Sequence, residues 1–293
     1  MHVTGRAKAV AHGAATIVNA IALGKGAAFG IDLWTKAEIE LTEEPHVVKG
    51  EITSDPAEST ILIERTVRRV FQRFRVEERF GAKVKTSSNI PIARGLKSSS
   101  AAANAVALAT VAALGETLDD LSVVTLGVNA AFDAKVTVTG AFDDACASYF
   151  GGAVVTDNLK RVLLKRVTLL DDLTVLFHVP SRKAYTGDSD VDRLRTVKPL
   201  VEIAYKEALK ENFWAALSLN GIIYSSALGY DASVALDALA AGALAAGLCG
   251  KGPAVATVVS GEKIDSVNAA LQRHEGEILQ ARLNHEKAKV LSQ

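Results

Sequence analysis

The chain has 293 residues, 49% of them apolar and 23% charged, with 33 lysines and arginines set against 33 aspartates and glutamates. That length and apolar fraction suit one large domain or two smaller ones around a buried core, and they exclude a disordered chain. A formal net charge of +0 supplies no overall field for a nucleic acid or an acidic membrane surface, so neither is expected as a partner.

The two cysteines, Cys146 and Cys249, sit among small apolar residues and read as buried thiols in a reducing compartment. Arg6, Lys8, His12 and Asn19 interrupt the opening apolar stretch, which therefore does not read as a secretory leader. The most apolar window, 234–249, carries Asp237 and several glycines and is shorter than a spanning helix. A cytoplasmic protein is expected, and its oligomeric state is left open.

Residues 28–42 alternate around Ile31, Leu33, Ile39 and Leu41, the period of a strand. In 59–74, Ile61, Leu62, Val67, Val70, Phe71 and Phe74 recur at helical spacing. Segment 82–90 alternates again and stops at Pro91. A glycine-containing loop follows, then an alanine-rich helix over 99–114. A second helix starts at Asp119 or Asp120 and runs to 133. A third starts at Phe142 and ends at Gly151 and Gly152, a helix-stop signal. Residues 153–156 read as a strand. The charged stretch 157–166 is the candidate boundary between an N-terminal part, 1–157, and a C-terminal part, 158–293.

Beyond it, 173–179 reads as a buried strand and the polar stretch 181–195 as a surface loop. Helices are expected over 195–210, 211–226 and 232–242. A strand over 255–259 follows a Gly-Lys-Gly-Pro turn, and a helix over 265–274 and a closing strand over 278–283 complete the chain. Strands and helices mix without strict alternation, which favours an α+β fold over a doubly wound sheet.

The loop after the second predicted strand is Pro91, Ile92, Ala93, Arg94, Gly95, Leu96, Lys97, Ser98, Ser99, Ser100 and Ala101. Gly95 permits a backbone turn that a side chain would block. Serines at a helix start can cap its amides, and the same amides and the helix dipole favour an anion such as a phosphate. The local physics alone fits a capped helix after a tight turn equally well, and no G-x-x-x-x-G-K-[ST] loop occurs anywhere.

This loop resembles the second motif of the GHMP kinases, P-x-x-x-G-L-G-S-S-A, with Lys97 where most members have glycine; G-L-K-S-S-S-A is similar to the archaeal shikimate kinases of that family. Three further segments fit in order. Lys8, five residues before Gly13, resembles the family's N-terminal motif, although Ala14 and Ala15 replace its Glu-His pair. Asp144 lies seven residues before Gly151, the spacing of the proton-accepting aspartate in mevalonate-type members. The stretch from Gly247 through Gly250, Lys251, Gly252 and Pro253 to Val255 resembles the C-terminal glycine loop.

The resemblance implies a two-lobed α+β fold: an N-terminal ATP-binding lobe with a left-handed βαβ crossover and a ferredoxin-like C-terminal lobe. It further implies ATP-dependent phosphorylation of shikimate, within aromatic amino-acid biosynthesis, with ATP and Mg²⁺ as cofactors. Asp144 would orient or deprotonate the acceptor hydroxyl, and Lys8 would keep Asp144 ionised or stabilise charge on the transferred group. Ser99 would hold the metal, with Ser100 the choice if the loop shifts by one. Residues 91–101 would hold ATP, and Arg182, Lys183, Gly250 and Gly252 are the candidates for the acceptor. Two alternatives stand beside this reading: a GHMP kinase for another small acid or alcohol such as homoserine or pantoate, and a nucleotide-binding regulator without catalysis.

Overall fold

The structure, a computed structural model, describes residues 5–91, 95–169, 172–180 and 191–292. The chain opens with two long strands, β1 (Arg6–Val18) and β2 (Lys25–Thr42), paired antiparallel along nearly their whole length. Alanines dominate the buried face of β1, which lets helices lie close on it. After β3 (Val48–Ile52), α1 (Ile61–Phe74) crosses over to β4 (Gly81–Ser88), which pairs parallel to β3 and antiparallel to β2. This βαβ unit is the parallel crossover of the N-terminal sheet.

Helices α2 (Ser98–Ala113) and α4 (Phe142–Phe150) lie on the sheet, and α3 (Asp120–Asp133) packs against α1, α2 and α4. Asp119 caps α3 by accepting the Ser122 N–H at 2.9 Å, as its place before an apolar run foretells. Strand β5 (Ala153–Asp157) returns to β2, and β6 (Val162–Val167) pairs with β5.

The second sheet has the order β10–β7–β9–β8, built from β7 (Leu173–Val179), β8 (Ala245–Leu248), β9 (Val255–Ser260) and β10 (Glu277–Arg282). Between β7 and β8 come α5 (Val191–Thr196), α6 (Lys198–Leu209), α7 (Phe213–Leu228) and α8 (Ser233–Ala240); α9 (Ile264–Leu271) precedes β10. The order 4-1-3-2 of a βαββαβ unit is the ferredoxin-like arrangement. The last strand, β11 (Lys289–Ser292), goes back to the first sheet beside β1.

The expected boundary at 157–166 is corrected. Residues 158–161 are the turn of the β5–β6 hairpin, so the chain leaves the first sheet only after β6, and its tail rejoins that sheet through β11. One apolar cluster joins the two sheets, with Phe29 and Val155 from the first, Phe177 and Val258 from the second, and Leu217 and Tyr224 of α7 between them. Of the stretch read as a polar loop, Val191–Thr196 is helical and the part at 181–190 lies outside the described residues. Among the described residues no helix is long and apolar enough to cross a membrane.

Candidate active site

The helices α2 and α4 begin side by side, and each is preceded by a non-glycine residue in the left-handed conformation: Lys97 at φ 61° and Ala141 at φ 47°. Such a backbone costs on the order of 1 kcal/mol or more for a residue with a Cβ. At Lys97 it turns the side chain inward instead of over the helix end. Lys97 Nζ lies 3.0 Å from Asp144 Oδ2, with both side chains almost wholly enclosed. The N-cap side chain makes no bond to the first turn of α2, so those amides are left to another acceptor.

Two glycines make room for this pair. A Cβ on Gly250 would stand 2.5 Å from Lys97 Nζ, and Gly250 itself has φ +65°. A Cβ on Gly95 would stand 2.7 Å from the Cys249 carbonyl, and Cys249 Sγ donates to the Gly95 carbonyl at 3.1 Å. The serine loop and the C-terminal glycine loop are therefore held against each other, and the lysine that replaces the family's glycine fills the space between them.

Asp143 is buried next to the pair. Its Oδ1 accepts from Asn158 Nδ2 at 2.8 Å, and Asn158 Oδ1 accepts from Thr156 Oγ1 at 2.6 Å. Tyr205 adds a hydroxyl donated to the Thr156 carbonyl at 3.1 Å. Burial, aided by the neighbouring Asp144 charge, pushes Asp143 up to about 7 against the pull of Asn158 and Lys97. Burial also pushes Asp144 up, opposed by Lys97. Burial pulls Lys97 down, but Asp144, with help from Cys249 and Asp143, leaves it above the ordinary lysine value. Lys97 and Asp144 thus face each other as an enclosed ion pair, and Asp143 beside them is raised toward neutrality. Asp144 Oδ1 is buried and has no hydrogen-bond partner among the described residues.

These groups form one end of a cavity of about 320 Å³. Gly95, Lys97, Ser98, Ser99, Ser100, Asp143, Asp144 and Gly252 line it, and Thr16 and Asn19 at the end of β1 complete that end. Ile52, Ile61, Leu62, Val136 and Val138 add apolar lining, interspersed with Ser54, Glu58, Ser59, Thr137 and Thr139. Ser99 is exposed and Ser100 nearly buried, so both hydroxyls stand at the start of α2. Leu96 and Ala101 are core residues beneath the loop, and Pro91 is half-buried outside the lining. Ile92, Ala93, Arg94, Arg182 and Lys183 lie outside the described residues.

Lys8 is not part of this site. It projects from β1 into solvent and pairs with Glu38 at 2.9 Å, both side chains half exposed. The lysine expected to stabilise Asp144 is therefore Lys97. The motif register on β1 could not reveal this, because an outward-facing residue of the strand keeps its spacing in the motif whichever way it points. Its one signal was the departure from glycine at position 97. Thr16 and Asn19 in the cavity wall and Asn158 behind it carry no motif signal, Asn158 falling in the charged stretch read as a domain boundary, and Lys251 of the late glycine motif also lines the cavity.

The model of the GHMP kinases N terminal domain matches residues 62–152, the span from α1 to Gly152. The chain is 47% identical to the shikimate kinase of Methanosarcina mazei over 282 residues, covering 96% of this chain and 95% of that protein. Among solved structures it resembles the galactokinase of Lactococcus lactis complexed with galactose (TM-score 0.76, 15% identity, 97% of this chain and 95% of that one). It also resembles the homoserine kinase of Cytophaga hutchinsonii (TM-score 0.71, 19% identity, 99% of each chain).

Proposed function

The chain belongs to the GHMP kinase family, and on that premise we propose that it is a shikimate kinase, transferring the γ-phosphoryl group of ATP to a shikimate hydroxyl in aromatic amino-acid biosynthesis. The near full-length relatives named shikimate kinase support the acceptor. The observation that carries the chemistry is Asp144: one carboxylate oxygen is tied to Lys97, and the other is buried at the cavity wall with no donor among the described residues. A buried acceptor left unsatisfied costs about 1–3 kcal/mol, and a substrate hydroxyl removes that cost.

Phosphoryl transfer needs alignment and charge neutralisation more than covalent chemistry from the protein. The apolar side chains of the lining, Ile52, Ile61, Leu62, Val136 and Val138, suit the adenine ring, and the uncapped amides of α2 with Ser98, Ser99 and Ser100 suit the phosphates. Asp144 Oδ1 accepts the proton of the acceptor hydroxyl as its oxygen bonds to the γ-phosphorus and the bond to the ADP oxygen breaks. Lys97 holds Asp144 in place and keeps it charged. The donor set fits Mg²⁺, a hard cation with oxygen ligands: the Ser99 hydroxyl, with Ser100 beside it, lines that wall at the uncapped start of α2. The ion would neutralise charge on the nucleotide phosphates. Both cysteines are free and buried, in keeping with a cytoplasmic enzyme.

The test is ADP release and product mass with ATP, Mg²⁺ and, separately, shikimate, homoserine and pantoate. Turnover of shikimate far above the other two is expected. Turnover of homoserine or pantoate in its place would overturn the acceptor, and no turnover with intact ATP binding would favour the regulator.

A further inference from the structure

The cavity wall at the end of β1 is held in place by a helix of the second sheet. Between β1 and β2 the chain bends through residues 19–24, and Asn19, Ala20 and Ile21 line the cavity. The bend lies beside the reacting groups: a Cβ on Gly26 would collide with Asp143 Oδ2 and stand 3.1 Å from the Ala20 Cβ. Within it, Ile21 N–H donates to Asn19 Oδ1 at 2.9 Å and Gly24 N–H to the Ala20 carbonyl at 2.7 Å. With its oxygen committed to Ile21, Asn19 has its amide nitrogen left for a bound molecule.

Three further backbone groups of the bend are met by α7. Asn19 N–H donates to Asn220 Oδ1 at 3.1 Å. The Tyr224 hydroxyl donates to the Asn19 carbonyl at 3.2 Å and accepts from the Ala22 N–H at 3.2 Å. Asn220 and Tyr224 are buried, and neither lines the cavity. The same helix is fixed to the strand that leads into the late glycine loop. Ser218 Oγ accepts from the Ala246 N–H at 3.1 Å, and Gly221 lies so close to Gly247 that a Cβ would strike its backbone. One helix thus braces both the bend and the glycine loop.

Stability alone does not account for Asn220. Its Nδ2 is buried without a partner among the described residues, a cost that an apolar side chain of similar volume would not carry. What it contributes is an oxygen, and that oxygen goes to a residue of the cavity wall. Burial pushes the Tyr224 phenol above its ordinary value, so its hydroxyl keeps the proton it donates to Asn19. We propose that Asn220 and Tyr224 are positioning residues for phosphoryl transfer: they hold Asn19 at the wall and thereby fix where the acceptor sits, without touching it. A wall residue displaced by a fraction of an ångström misaligns the acceptor hydroxyl for in-line attack. This rests on the kinase reading above and names the groups behind the wall that set its acceptor geometry.

The experiment compares wild type with Tyr224→Phe, Asn220→Ala and Asn220→Asp, each alone and combined with Asn19→Ala. The measurements are kcat and KM for shikimate, KM for ATP, and thermal unfolding. Tyr224→Phe and Asn220→Ala should each lower kcat/KM for shikimate about tenfold, the scale of one lost hydrogen bond, with KM for ATP within about twofold. Asn220→Asp keeps an oxygen for the Asn19 N–H and should retain most of the activity. In the Asn19→Ala background, Tyr224→Phe should cost less than about twofold more, because residues that act through one another are not additive. Tyr224→Phe removes a single hydroxyl and keeps the comparison open if Asn220→Ala does not fold. Losses that add in full to that of Asn19→Ala, or that fall equally on shikimate and ATP, would overturn the proposal while leaving the shikimate reading intact. A wild type that neither binds nor phosphorylates shikimate, by calorimetry and turnover, would overturn that reading and this assignment with it.

Discussion

Lys97 Nζ and Asp144 Oδ2 meet at 3.0 Å, from residues 47 positions apart, each in the first turn or cap of its own helix. The lysine reaches the aspartate because its backbone is left-handed, and it has room because Gly250 carries no side chain. An ion pair this enclosed gives up hydration on both sides and persists because each partner would be stranded without the other. Asp144→Asn should lower kcat by roughly 10²–10⁴-fold, the usual worth of a general base, with ATP affinity little altered. Turnover close to wild type in steady-state kinetics would reduce Asp144 to a helix-terminal residue.

Lys97→Met and Lys97→Gly separate charge from backbone. Both should remove most of kcat. Lys97→Met should lose about 3–5 kcal/mol of stability by leaving Asp144 buried without its partner. Lys97→Gly should be the more stable of the two by about 1 kcal/mol, because glycine accepts φ 61° without strain. Denaturant unfolding of both measures the difference, and a less stable Lys97→Gly would contradict it.

Lys8→Ala should leave kcat within about twofold and stability within about 1 kcal/mol, since its exposed pair with Glu38 is of the kind worth little. A large fall in kcat would return Lys8 to the site.

Ser99→Ala should raise the Mg²⁺ concentration for half-maximal rate roughly tenfold, on the scale of one lost bond to a charged group. A magnesium titration that shifts for Ser100→Ala and not for Ser99→Ala would move the metal ligand one residue along α2.

Asp143 is protonated more readily folded than unfolded, with its folded value raised from 3.8 to about 7. The folded state therefore binds the extra proton between those values, and this residue's contribution to stability declines as pH rises through that window. Asp143→Asn removes the titration and leaves an oxygen for Asn158. Its stability relative to wild type should climb from pH 4 to pH 7 by on the order of 2–4 kcal/mol. A difference that is flat in pH across thermal unfolding curves would show that Asp143 does not titrate there.

The elements with strong local signals were legible from the residues alone. Helix α3 with its Asp119 cap, α4 stopping at Gly151, and the fully buried β7 fall where periodicity and cap chemistry put them. The serine loop at the start of α2 and the spacing from Asp144 to Gly151 likewise marked the cavity wall in advance. Strands β1, β3, β6, β8 and β11 were not assigned, because their residues are stabilised by sheet partners far along the chain: Ala-rich β1 lies between β2 and β11, and β6 rests on β5 alone. The same reason explains the misplaced boundary, since a charged hairpin turn and a linker have one composition.

What the sequence by itself determined was the set of chemical groups and their order: a phosphate-type loop, an aspartate before paired glycines, and a late glycine loop. Which lysine serves the aspartate was decided only by tertiary structure. The linear motif points to Lys8, but β1 turns it to solvent, while a left-handed residue and the missing side chain of Gly250 turn Lys97 onto Asp144. Direction of a side chain depends on backbone angles and on the space left by distant residues, and neither is written in spacing.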